Sequence, residues 1–361
     1  MSYACAESPG DYCWSALILA PVQTPPPRRL RIYPLKETHK MICRKSLFAA
    51  AVLFLVLFSS QAFAWNSVGH MTVAWSAYQQ LTPAEKARVA ALLKLNPYYS
   101  KWLTYIPAGT SDTDRDMYVF MMAATWPDEI KAMGSGYTGN DNPPHGELPS
   151  LNAGYSDKQA HKYWHFINTP FSTDGTPLPP VDGPTLVDKI GVFGAALATS
   201  EPDLLKSYDL VWTLHLVGDV HQPLHCSERV TKTAPHGDLG GNSVVVTGPT
   251  KELHAFWDDA VGLGDTQDFM KAVNVGPALP KPDAKLVDDS KEADWAAESF
   301  SLSKSSVYVA PVGPGLGPYT MDSAYTANTL QIAKERIALA GARLANLLKT
   351  ALNCGSETCA N

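Results

Sequence analysis

The sequence predicts a mainly α-helical domain with at most a small β-hairpin. Three observations carry this reading. Apolar residues recur at helical spacing in run after run beyond residue 64, almost nothing alternates with the period of a strand, and Pro/Gly/Asn-rich connections separate the runs. The helical runs lie near 68–81, 83–95, 116–133, 157–167, 184–198, 203–222, 250–261, 290–304 and 320–352. Long connections fall at 134–156, 168–183, 229–242, 274–289 and 305–319. Ser243 to Thr247 is the best strand candidate, following the Gly240-Gly241 turn as one arm of a hairpin. The last run, with Leu330, Ile332, Ile337, Leu339, Leu344, Leu347 and Leu348, reads as core.

The chain of 361 residues, 45% hydrophobic, has the length and composition to bury a substantial core. At its start, Met41-Ile-Cys-Arg44-Lys45, the apolar run Leu47 to Phe58 and Ala62-Phe63-Ala64 have the basic, apolar and small-residue parts of a secretory signal. The apolar run is short for a membrane span. Residues 1–40 carry no helical or strand pattern and are expected to be a misassigned start, with Met41 the true first residue, or else a leader; 41–64 is the expected signal peptide and 65–361 the expected single domain. Cleavage after Ala64 would leave Trp65 as the first residue, and its freed α-amine could serve as a ligand beside its own carbonyl. Export would make the protein secreted or periplasmic, with no membrane anchor left. Residues 1–64 hold seven Lys/Arg against three Asp/Glu, leaving 22 against 32 and a formal charge of −10 for the rest. Such a body has no broad basic surface for polyanions, so a phosphate-bearing substrate would need bound cations to attract it locally. Cys354 and Cys359 are close enough to close a small loop in an oxidising compartment, and Cys226 reads as a buried small residue.

Chemistry concentrates in His215-Leu-Val-Gly-Asp219-Val-His221-Gln-Pro223-Leu-His225, at the end of an apolar helical run. On a helix, His215 and Asp219 stand at i and i+4, on one face. Pro223 cannot continue the helix, so the chain bends there and can turn His225 back toward the same region. Imidazole and carboxylate donors suit zinc, and a carboxylate with two oxygens could bridge two ions. Four further pieces match this stretch. Trp126-Pro-Asp128-Glu-Ile-Lys131 sets an aspartate and a lysine three residues apart, and Trp164-His165-Phe166-Ile-Asn168 sets a histidine beside an aromatic ring and an amide. His254-Ala-Phe-Trp257-Asp258 repeats the i, i+4 pair, and His70 follows Trp65 at the start of the first helical run. Each piece alone would more often be structural; together they form a constellation.

These residues resemble the secreted, zinc-dependent, single-strand-specific nucleases known as type I, or S-one/P-one, nucleases. The likeness runs from Trp65 to about Asp258, with the pieces in family order. It implies a mainly helical fold shared with bacterial zinc phospholipase C and a site of three zinc ions. One would be held by Asp128, His165, His215 and Asp219, a second by His225, His254 and Asp258, and a third by the amine and carbonyl of Trp65, His70 and the other oxygen of Asp219. Three zinc ions would outweigh the three aspartates and a hydroxide by about two charges, enough to draw phosphate to an acidic body. The resemblance further implies hydrolysis of single-stranded DNA and RNA to 5′-phosphate products by a monomer, with 3′-nucleotidase activity beside it. Lys131 would supply a donor to the developing phosphoryl charge and Asp128 would orient the attacking water. Phe166 offers a face for one unpaired base or, equally, a core contact. Asn168 stands where the fungal members carry aspartate, and its amide both donates and accepts. His221 reads as a supporting residue, and His145, His161 and His236 as loop or surface groups. The competing readings are phospholipase C chemistry on the same site and a zinc-binding protein without turnover.

Overall fold

The chain enters its helical body at Asn66, whose side chain caps α1 (Ser67–Gln79) by accepting a hydrogen bond from Gly69 N at 3.1 Å. The computed structural model describes residues 65–132, 134–139, 147, 148, 154–262 and 267–352. The expected leader and signal, His145, Cys354 and Cys359 lie outside these residues.

A Thr82–Glu85 capping box and Pro83 in the first turn start α2 (Pro83–Lys94). There follow α3 (Tyr99–Leu103), α4 (Asp112–Ala123), capped by Ser111, and the short α5 (Trp126–Glu129). The single run predicted over 116–133 is thus two helices. Pro127 has no N–H to offer the Ala123 carbonyl, so the chain turns at Ala124–Thr125 and restarts. The helix predicted over 157–167 is absent. Two 3-10 turns, Tyr155–Asp157 and Lys162–His165, take its place, because Lys158 (φ 54°) and His161 (φ 44°) adopt left-handed backbone that an α-helix cannot hold.

The central element is α7 (Asp203–Asp219), buried on all sides from Lys206 onward and flanked by α6 (Leu186–Leu197). The remaining helices are α8 (Leu253–Asp258), α9 (Phe269–Val275), α10 (Ala284–Val287), α11 (Glu292–Leu302) and the 30-residue α12 (Ser323–Leu352). The short α9 and α10 occupy stretches where the sequence shows no long apolar period. Among the described residues strand is confined to two parallel pairs, β1 (Pro170–Ser172) with β2 (Glu228–Val230), and β3 (Val246–Thr247) with β4 (Tyr319–Thr320). Of the strand predicted at 243–247 only Val246–Thr247 forms, and it pairs with a distant segment. The tight return after it is one antiparallel bridge, Val245 to Glu252, made by Val246 N to Lys251 O and Leu253 N to Val244 O, while Val245 turns its own N–H and carbonyl outward to Leu316 and Tyr319. The fold is mainly α, as the sequence predicts.

One large apolar cluster joins Trp65, Trp102, Trp126, Trp164 and Trp212 to Ile337, Leu344 and Leu348 of α12. A smaller one gathers Leu224, Val246, Leu253 and Trp257 beneath Val307 and Tyr325. Within α12, Leu330 departs from the predicted core role at 37% exposure, whereas Ile337, Leu344 and Leu348 are fully buried. Among the described residues no helix is long and apolar enough to cross a membrane.

The α1–α12 contact depends on Gly341, where a Cβ would stand 2.5 Å from the Ser76 side chain and 3.1 Å from the Val73 carbonyl. Gly341→Val must push the two helices apart. The expected cost is about 1–3 kcal/mol of stability, read as a fall in urea midpoint at unchanged m-value; an unchanged midpoint would contradict the close packing.

Candidate metal centre

Two chain reversals build the site. The α7 helix stops at Asp219, three residues earlier than predicted; Gln222 is extended, and Pro223 opens a 3-10 turn, Pro223–Cys226, that carries His225. His215 and Asp219 therefore share one face of the last helical turn, with His215 Nε2 3.3 Å from Asp219 Oδ2. The turn brings His225 against the 3-10 segment bearing His165, and α8 brings His254 and Asp258 to the same place. His70 arrives from α1, its ring stacked on that of His215 at 3.8 Å. Gly218 permits this approach, since a Cβ there would lie 2.8 Å from His70 Nδ1.

Backbone carbonyls orient three of the imidazoles. Nδ1 of His215 donates to Ala124 O at 2.7 Å, Nδ1 of His225 to His165 O at 2.6 Å and Nδ1 of His254 to Gly240 O at 2.7 Å. With the proton placed on each Nδ1, the Nε2 atoms of His225 and His254 face each other at 3.0 Å. Asp258 Oδ2 lies 3.6 Å from His254 Nε2, so three potential ligand atoms converge. The second cluster has the same character. Asp219 turns Oδ2 toward His165 Nδ1 at 3.0 Å and Oδ1 toward His70 Nε2 at 3.3 Å. Asp128 lies 3.5 Å from His215 Nε2 through Oδ1 and 3.8 Å from His70 Nε2 through Oδ2. Both ring nitrogens of His70, Nε2 of His165 and Oδ1 of Asp219 are buried without a hydrogen-bond partner. Orphaned nitrogen and carboxylate donors converging in this way fit divalent ions of the zinc type. Among the described residues three groups of donors, each within 4.8 Å, meet this description: His70/Asp128/His215, His165/His215/Asp219 and His225/His254/Asp258.

Electrostatics follow from burial opposed by close partners. Burial alone would raise Asp128 and Asp219; Lys131 and His215 outweigh it at Asp128, and His215 with the neighbouring histidines outweighs it at Asp219, so both carboxyls fall well below their usual range. His215 resists the downward pull of burial because Asp219 and Asp128 hold its proton, and it rises to about 10. Burial, then Lys131, takes His165 down to about 3, and burial lowers His70 and His225. Asp258 moves the other way, raised well above its usual value by burial.

The other predicted residues fall as follows. Trp65 is fully buried and its indole donates to Gly218 O at 3.1 Å, while Asn66 N donates to Asp258 O at 3.3 Å, so the start of the domain lies between the ends of α7 and α8. Lys131 is buried, with Nζ 2.5 Å from Asp128 Oδ1. Phe166 is half-buried against the main core, and Asn168 is likewise half-exposed. His221 points away from the cluster, donating from Nδ1 to Val217 O and accepting from Arg343 at Nε2. His236 is exposed, and His161, expected as a loop or surface group, lies in irregular backbone but is buried: it is 4% exposed, stacked at 3.5 Å on Trp164 and paired with Asp157 at 2.8 Å. Its left-handed backbone folds the ring inward, a conformation that sequence period does not reveal. Cys226 is buried and reduced, away from the donor groups. Sequence reasoning missed two supports. Gln222 donates to Asp258 Oδ1 at 2.6 Å and was findable inside its motif; the Gly240 carbonyl, as a backbone atom, was not.

A family model described as S1/P1 Nuclease matches residues 65–353. Endonuclease 5 of Arabidopsis thaliana is 24% identical over 326 residues, covering 84% of this chain and 95% of that protein. Endonuclease 3 of the same plant is 28% identical over 158 residues, 38% of this chain, and that match spans about half of its length (49%).

The raised His215 sets a pH dependence. A metal needs the Nε2 lone pair that a proton occupies below about 10, so zinc added to chelator-treated protein at neutral pH should release at least one proton per chain, and affinity should climb with pH. In the metal-free chain, His215 stabilises the fold below about 6.5, and that contribution fades as pH rises through about 10. Calorimetry in buffers of differing ionisation enthalpy measures the release; zero release would show that His215 takes no part.

Proposed function

The chain belongs to the S1/P1 nuclease family, and from that premise we propose that it is an exported phosphodiesterase cleaving single-stranded DNA and RNA to 5′-phosphate products with three zinc ions. The observation that carries this reading is the convergence of buried imidazole and carboxylate donors in adjoining groups, with the Nε2 atoms of His225 and His254 3.0 Å apart while each Nδ1 faces a backbone carbonyl. Asp128, His165, His215 and Asp219 would hold one ion and His225, His254 and Asp258 another. A third would lie at His70, the free Oδ1 of Asp219 and, after processing at Ala64, the amine and carbonyl of Trp65. The two oxygens of Asp219, turned to different histidines, support its role as a bridge. His70, His215 and Asp128 also converge, so the first and third positions adjoin.

Bound zinc would supply charge to offset the phosphodiester and make a water acidic enough to attack at neutral pH. The chain's residues do the rest. Asp128 accepts a hydrogen bond and so can orient the water, and Lys131, held against it, keeps a cation at the edge of the cluster to donate to a phosphoryl oxygen. Phe166 presents its exposed part for stacking one base, worth on the order of 1–3 kcal/mol. Stacking requires a base freed from its pair, which favours single strands. Asn168 can donate to or accept from a base edge, giving broad base tolerance.

The decisive assay uses exported protein whose intact mass begins at Trp65, offered single-stranded DNA, RNA and phosphatidylcholine with and without a chelator. Nucleic acids should be cut to 5′-phosphate ends, chelation should abolish cutting and zinc should restore it. Phosphatidylcholine hydrolysis alone would point to a phospholipase, and zinc uptake without turnover to a storage protein. Separately, Asp219→Asn should lose more than one zinc ion per chain and His70→Ala only one; elemental analysis giving equal single losses would argue against the bridge.

A further inference from the structure

Glu228 begins β2, three residues after His225, and is 4% exposed. A buried carboxylate normally faces a cation, yet among the described ion pairs within 4 Å none falls on Glu228. Its neighbour Arg229 turns to Asp238 instead, with Nε 3.2 Å from Oδ2. Glu228 spends its oxygens on backbone: Oε1 accepts from Leu239 N at 2.8 Å and Oε2 from Gly240 N at 3.1 Å. The loop so gripped is strained. Leu239 sits in left-handed backbone at φ +56° with its side chain 61% exposed, followed by Gly240 at +57° and Gly241 at +86°. A leucine holds that conformation only where its surroundings impose it. At position 240 only glycine fits, because a Cβ would stand 2.7 Å from Leu224 O. The carbonyl that emerges from this loop is Gly240 O, which receives His254 Nδ1 at 2.7 Å. One side chain thus joins the chain behind His225 to the loop behind His254, the two rings whose Nε2 atoms lie 3.0 Å apart.

We propose that Glu228 is a positioning residue for the His225/His254/Asp258 group, holding the Gly240 carbonyl where it fixes the tautomer and direction of the His254 ring. It touches no reacting atom. The inference rests on the proposed metal site and adds a determinant of affinity at one of its ions.

Glu228→Gln keeps size and burial but replaces one acceptor by an amide that opposes the Gly240 N–H. Zinc affinity would be measured on the full processed chain by competition with a chromophoric chelator near pH 8, alongside thermal unfolding of the metal-free protein. One ion should bind about 10–100-fold more weakly while the others keep their affinity and the metal-free unfolding midpoint stays put. Glu228→Asp, too short to reach both N–H groups, should give the same single-ion loss and carries the test if the glutamine variant does not fold. Wild-type affinity for every ion in both variants would overturn the inference while leaving the metal site intact. So would parallel weakening of all ions together with a lowered midpoint, the signature of a purely structural role. A wild-type chain that took up no zinc would overturn both the inference and the reading beneath it.

Discussion

Everything in the site depends on burial, which strips most of the imidazoles of their protons and leaves the charge on His215 and Lys131 to balance Asp128 and Asp219. Burial by itself drives His70, His165 and His225 to shed their protons, and carbonyl contacts at Nδ1 of His215, His225 and His254 leave Nε2 of those three rings pointing inward. The same burial would neutralise Asp128 and Asp219 were it not for Lys131 and His215 close by. The cluster is therefore mutually dependent: remove the charge on one partner and the protonation of the next changes. That interdependence gives zinc-type ions a place to substitute for protons.

The helical frame serves this arrangement. The end of α7 that carries His215 and Asp219 is held from below by α11 and α12. Arg336 Nε donates to His221 O, Ser299 donates to Val220 O, and Arg343 bonds both His221 Nε2 and Glu298. Burial, then Arg336 and Arg343, keeps His221 well below its usual pKa, so it stays a neutral acceptor and a fixed strut. From the other side Asn66 ties the start of α1 to Asp259 at 2.7 Å, just past the last residue of α8. The one ion pair among these contacts, Arg343 with Glu298, contributes little net stability, but with the hydrogen bonds it restricts the number of ways the helix end can lie.

Much of this was legible in the sequence, for identifiable reasons. The i, i+4 pairs His215/Asp219 and His254/Asp258 could be read because helical spacing fixes which side chains share a face, and Pro223 marked the bend that returns His225. The helices themselves were legible where an apolar period ran long, as in α12, and illegible where a few residues decide, as in the break at Pro127 or the left-handed His161. The parallel partner of Val246–Thr247 lies over seventy residues away in sequence, and no local pattern announces it. Glu228 was missed because its partners are N–H groups, which every sequence contains. Asp128, by contrast, stood out through its neighbours Trp126 and Lys131.

The carbonyls of Ala124, His165 and Gly240 bear on how such a site withstands change over evolutionary time. Their role is performed by atoms common to all residues, so substitution at Ala124 leaves the acceptor in place unless the chain itself moves. Ring orientation is written into the path of the backbone, and the mutational target shrinks to the donors and to the few places, such as Gly240 against Leu224, where the path has no room for a side chain. A chain can drift far in composition around such a scaffold while presenting an unchanged set of lone pairs.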